Sequence, residues 1–137
     1  MQEITFTLPF AYKLPNRTIG QHWGRATREK NDLMRKVAAE AYHLRPAQPF
    51  RKARVVIERH GVREPDTDNL VAGMKRLLDC LTTPVMQQSK SGRPSVKNKR
   101  GLGFVVDDSP EFITLEVKHV KSKRDEQKTV VTITEID

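Results

Sequence analysis

Leu70, Val71, Met74, Leu77, Leu78 and Leu81 recur at helical spacing over about three turns. A helix striped in this way must give one face to a core. The spacing predicts a helix entered at Asp68, a residue suited to cap its first turn. On both sides of this helix the apolar period changes. Residues 3–9 alternate Ile4, Phe6 and Leu8 with Glu3, Thr5 and Thr7 and stop at Pro9, the pattern of a half-buried strand. Residues 51–60 repeat it with Ala53, Val55 and Ile57, and Gly61 and a Pro65 turn follow. Between these strands, from Thr27 to Leu44, the residues Leu33, Met34, Val37, Ala38, Ala41 and Tyr42 predict a first helix that Pro46 terminates. Downstream, Phe104-Val105-Val106 predicts a short strand running into Asp107-Asp108, with further strands near 112–120 and 127–135 joined by a charged turn from Lys121 to Glu126. The predicted order is β-α-β-α-β-β-β. Two segments lack a period: a long loop over 10–26, and a stretch over 84–103 rich in Ser, Lys, Gly, Asn and Gln, which predicts a flexible excursion.

A chain of 137 residues with 36% hydrophobic and 31% charged residues fits one soluble domain with a small core, which a partner subunit would help complete. No apolar run approaches the roughly 18 residues needed to span a bilayer, and no basic-then-apolar leader opens the chain. The sequence therefore predicts a protein neither secreted nor membrane-spanning. Its single cysteine, Cys80, sits among apolar helix residues and predicts a buried thiol in a reducing, cytoplasmic compartment. The formal net charge of +8 points to a polyanionic partner, nucleic acid first. Its distribution supports this more than its size does. No acidic residue lies between Asp79 and Asp107, while Lys90, Arg93, Lys97, Lys99 and Arg100 fall close together. Charge runs of this kind are commonly solvated loops, but the proximity to an acidic pair favours phosphate contact. Trp23, in the long loop, has two readings, a stacking platform for an unpaired base and an anchor of the loop to the core.

Two acidic sets carry the chemical signal. Asp66-Thr67-Asp68-Asn69 places two carboxylates at the entrance to the second helix, where aspartates ordinarily cap N–H groups and complement the dipole. Asp107-Asp108 follows an apolar strand, and adjacent like charges there need a cation or solvent to offset them. Mg²⁺ takes a few carboxylates and keeps several waters, so three convergent aspartates suffice for an ion suited to phosphodiester hydrolysis. Strand alternation allows at most one of Asp107 and Asp108 to face such a site. At about 100° per residue, Lys75 and Asp79 lie within about 20° of Asp68 on the face opposite the leucines. Lys75 thus serves either as an ion-pair partner of Asp79 or as a charge that steadies phosphate. The four histidines show no ligand spacing.

Asp66-x-Asp68-Asn69-Leu70, then Lys75-x-x-x-Asp79-x-Leu81, then Val105-Val106-Asp107-Asp108 resembles the RusA family of Holliday junction resolvases, small endonucleases of phages and prophages. The likeness extends to the opening strand ending Leu8-Pro9, the Asn16 to Arg25 loop and the closing Val131-Thr132-Ile133-Thr134-Glu135. It implies an α+β domain with a mixed sheet, a homodimer, dependence on Mg²⁺ or Mn²⁺, metal ligation by Asp66, Asp68 and Asp108, and a catalytic role for Lys75. Two features depart from the family pattern. The family lysine falls one turn after the second aspartate, where this chain has Ala72, and the 84–103 excursion is longer than the family link. The expected activity is paired cleavage of a four-way junction in recombination and repair, which a two-fold dimer matches. The alternatives are a catalytically silent nucleic-acid-binding module and a nuclease acting on flaps or ordinary duplex.

Overall fold

In a computed structural model the described residues are 2–15 and 24–136, with the backbone alone of Trp23. The elements are β1 (Glu3–Leu8), α1 (Trp23–Ala41), β2 (Ala53–Gly61), α2 (Thr67–Asp79), β3 (Val85–Gln88), β4 (Pro94–Lys97), β5 (Ile113–Lys121) and β6 (Lys128–Glu135), with short 3-10 turns at Tyr42–Leu44 and Arg124–Glu126. This is an α+β domain built on a mixed sheet. Most of the Asn16 to Arg25 loop, with the side chain of Trp23, lies outside the described residues.

The four-stranded sheet has the order β1-β6-β2-β5. β6 runs antiparallel to both β1 and β2, while β5 lies parallel to β2 at the other edge. A parallel pair needs a crossover, and α2 lies in the chain between β2 and β5. The two-residue period now has its cause. Phe6 pairs with Val131, Val131 with Ile57 and Ile57 with Val117, so one row of apolar side chains crosses the sheet; Ile4, Ile133, Val55 and Leu115 form the next. Thr129 occupies an inward position of β6, and its buried hydroxyl is satisfied by donating to Phe10 O and accepting from Tyr12 N–H.

Onto this face α2 lays Leu70, Met74, Leu77 and Leu78, all buried, and each such side chain contributes roughly 2 kcal/mol by leaving water. Gly73 is required by close approach. A Cβ there would stand 2.7 Å from the carbonyl of Lys13, where the segment after β1 crosses the helix and Tyr12 donates its hydroxyl hydrogen to Leu70 O at 2.7 Å. Cys80 is buried as expected, and burial pushes its thiol up to about 12, which makes it inert.

Three local features differ from the sequence-based expectation. Asp66, not Asp68, is the N-cap of α2: its extended backbone leaves the carboxylate to accept from Asn69 N–H at 2.8 Å. The 84–103 segment folds into a β3–β4 hairpin, closed by a turn in which Gly92 takes a φ of 79°. Phe104 and Val105 are fully buried, but they form only an isolated parallel bridge to Phe50 in place of a strand. Their N–H groups go instead to Leu81 O, and those of Leu102 and Gly103 to Cys80 O and Thr82 O. The turn after α2 therefore captures the backbone that a strand ladder would need.

Candidate functional site

That capture decides where the second acidic pair sits. Residues 102–105 are tied to residues 80–82, and Val106 N–H to Phe50 O, so Asp107 and Asp108 emerge at the C-terminal end of α2, near its last residue, Asp79. The negative charge of Asp108 acts there on Asp79, whose carboxyl is pushed up first by burial and then by that charge. Asp108 is also pushed up, by burial first and then by the charge of Asp107. Lys30 and Arg100 act on Asp79 in the opposite sense.

Asp107 and Asp108 have different environments. Asp107 accepts from Lys97 Nζ at 2.8 Å, from Asn98 Nδ2 at 3.1 Å and from the Asp108 N–H at 2.9 Å. The Lys97 hydrogen bond is the main reason its carboxyl falls to about 2. A carboxylate with these partners fastens the base of the hairpin. Asn98 turns the chain there with a φ of 58° and also donates to Thr83 O. Gly101 completes the turn, because a Cβ at that position would lie 2.1 Å from Thr82 O. Asp108 is the more exposed of the two as a residue, although its carboxyl is partly desolvated, and the charge of Lys97 offsets its own less than it does that of Asp107. The depressed Asp107 pKa contributes stability above the unfolded carboxylate range, and that contribution is lost as pH falls through about 2.

Asp66 and Asp68 stand at the other end of α2. The helix has 13 residues, so roughly 20 Å separates its ends. The expected meeting of Asp66, Asp68 and Asp108 does not occur within one chain. Among the described residues, no three His, Cys, Asp or Glu side chains gather closely enough to hold a metal ion. Asp68, Ala72, Lys75 and Asp79 do form one exposed stripe along α2, as the angular argument requires. Among the described residues no ion pair joins Lys75 to Asp79, which leaves the ammonium directed at solvent along a line with acid at both ends.

The basic stretch is divided among three places. Lys90 and Arg93 occupy the exposed hairpin turn, Lys97 is engaged with Asp107, and Lys99 and Arg100 enter a cleft. This cleft, of about 320 Å³, is also lined by Lys30, Arg76, Asp79 and Val96. Arg100 is held by Asn31 Oδ1 at 2.8 Å, and Arg76 by Glu29 at 3.0 Å, so α1 fixes two of its cations. Lys30 and Arg76 carried no sequence signal, since they reach the cleft only through the packing of α1 on α2. Asp79 did carry one, in its angular alignment with Asp68. The cleft sets several cations around one carboxylate, an arrangement that accepts phosphate oxygens beside a cation held by acid.

The pair Asp79 and Asp108 supplies hard oxygen donors of the kind Mg²⁺ takes; both carboxyls are raised by burial first, and the part of the rise that comes from neighbouring aspartate charge is the part a cation would relieve. A carboxyl raised by folding lowers stability once ionised and returns it as pH falls through the raised value. Asp108→Asn is therefore expected to raise the melting temperature of metal-stripped protein at pH 7 by about 1–2 °C, after discounting for solvent screening. Mn²⁺ at ten times its dissociation constant is expected to raise that of the parent by about 4 °C and to leave the variant unmoved. Differential scanning calorimetry with and without the ion checks both.

No helix among the described residues is long and apolar enough to cross a membrane. No protein-family model matches the chain, and no curated protein is detectably similar to it.

Proposed function

We propose that the chain is a divalent-metal-dependent DNA endonuclease of the RusA type, acting as a homodimer on four-way junctions. The observation that carries this reading is the cleft in which Asp79 stands among Lys30, Arg76, Lys99 and Arg100, with the charge of Asp108 acting on Asp79. Carboxylates whose charges oppose one another favour a divalent cation, and the adjoining cations favour the phosphodiester that such an ion activates. When bound, Mg²⁺ supplies the charge that offsets the attacking and leaving oxygens of hydrolysis. The protein residues would orient the substrate: Lys99 and Arg100 would hold phosphate, Arg76 and Lys30 line the cleft beside them, and Asp79 and Asp108 would hold the ion. Asp66 and Asp68, about 20 Å away along α2, join Asp108 of the same site only from a second copy of the chain.

The separation of the two acidic sets also favours a second reading, a nucleic-acid-binding module in which Asp66 only caps α2 and Asp107 only fastens the hairpin. Cleavage assays on a synthetic four-way junction and on linear duplex, with Mg²⁺ and with chelator, separate the two. The first reading requires Mg²⁺-dependent cutting of the junction in preference to the duplex; the second requires binding without cutting. Flap substrates in the same assay distinguish a nuclease of broader taste.

Binding has its own signature. Each phosphate contact contributes about 0.9 to the slope of log K against log salt. Lys99→Gln with Arg100→Gln is expected to reduce that slope by about 2, measured by fluorescence anisotropy on the junction. Lys97→Gln is expected to reduce it by less, because its ammonium is already engaged with Asp107. Equal slopes for parent and double variant would remove the cleft from the DNA path.

A further inference from the structure

The β3–β4 hairpin has a feature that phosphate binding leaves unexplained. Met86 and Val96 are partners across the ribbon, so their side chains share one face. They are 66% and 45% exposed, and Val96 lines the basic cleft. The opposite face carries Lys97, which is bound to Asp107. The hairpin forms a separate two-stranded sheet, and a two-stranded ribbon is marginal without something packed on its apolar face. Its base, by contrast, is fixed through Asn98, Thr83 and Asp107. The result is an anchored ribbon that presents an apolar pair with nothing covering it.

The charge around that pair selects its occupant. From residue 80 to residue 106 the chain has no acid, while Lys90 and Arg93 sit at the ribbon's tip and Lys99 and Arg100 below it. A second copy of the same surface would bring these cations against one another and be repelled. A nucleic acid satisfies both requirements, with phosphates for the cations and the faces of bases for the apolar pair. Apolar side chains flanked by basic residues enter base steps that are already weakly stacked, and bases at a branch point are the least costly to part.

Resting on the endonuclease reading, we infer that the β3–β4 hairpin is an unstacking wedge: Met86 and Val96 enter the base stack at a DNA branch point while the flanking cations hold the backbone on either side. This makes the ribbon the element that selects branched over linear DNA, separate from the carboxylates that cut.

The test uses full-length protein with chelator present and a four-way junction carrying 2-aminopurine at the branch. Binding of the parent is expected to raise the 2-aminopurine fluorescence severalfold. Met86→Gln with Val96→Gln is expected to lose most of that rise and about tenfold of the preference for junction over duplex, while Met86→Leu retains both. The Mn²⁺-induced rise in melting temperature reports intact folding in each variant. An unchanged fluorescence rise in the double glutamine variant overturns the inference, as does binding of the parent without any rise. A fall in molecular mass of the double variant by sedimentation also overturns it, since the pair would then be covered by another copy. Junction cutting that persists with an unchanged rise defeats the wedge alone, whereas a parent that neither binds nor cuts junctions defeats the endonuclease reading with it.

Discussion

Asp108→Asn is expected to lower junction cleavage by more than about a hundredfold, the loss reached when even an outer partner of a metal ligand is removed, while junction affinity in chelator stays within about twofold of the parent. The asymmetry follows from the position of the side chain. Asp108 is the less compensated member of its pair and acts on Asp79. The anion-facing groups of the cleft are different residues. Asp107→Asn is the informative neighbour. It keeps an acceptor for Lys97 and Asn98 but loses the charge that makes the Lys97 bond strong. The expected consequence is a loosened hairpin, with weaker preference for branched DNA and retained cutting. Single-turnover cleavage beside anisotropy titrations reads both variants. If Asp107→Asn abolished cutting and Asp108→Asn did not, the roles assigned to the pair would be reversed.

The second large effect concerns the separation along α2. If Asp66 and Asp68 complete the site of another subunit, mixing Asp68→Asn chains with Asp108→Asn chains should restore cleavage that each lacks alone. One site of the mixed dimer then loses two aspartates and the other loses none. Random exchange places half the chains in mixed dimers with one intact site each, so recovery should approach about a quarter of parental nicking. A gain from less than about one per cent to about a quarter is far outside assay error. Continued inactivity of the mixture, with subunit exchange shown by mass, would restrict the active carboxylates to one chain. Asp79 and Asp108 would then be the acting pair, and Asp66 only a cap.

Much of the fold was legible because it rests on periodicity. The stripe from Leu70 to Leu81 and the alternations at residues 3–8, 53–57 and 128–135 each record which face is buried. The cap of α2 was harder to read. Asp66 and Asp68 are chemically equivalent caps two residues apart, and only the extended backbone at Asp66 and its bond to Asn69 choose between them. Phe104 and Val105 were correctly apolar, but burial against Leu81 and burial in a strand leave the same short apolar run. The hairpin was obscured because its strands are four residues long, half polar and largely exposed. The alternation argument for Asp107 and Asp108 required a strand that is absent. What separates the two is instead the approach of Lys97 and Asn98, which follows from the hairpin's closure. The same tertiary event carries the acidic pair to the far end of α2, and nothing local to Asp66 or Asp108 encodes that distance.

Cleavage of a synthetic four-way junction, compared with a linear duplex of the same sequence and followed with Mg²⁺ and with chelator, tests the proposed metal-dependent chemistry most directly. The arrangement of Asp79, Asp108 and the basic cleft predicts paired nicks at the branch that appear only with the ion. Binding of the junction with no nick at any Mg²⁺ or Mn²⁺ concentration would contradict it.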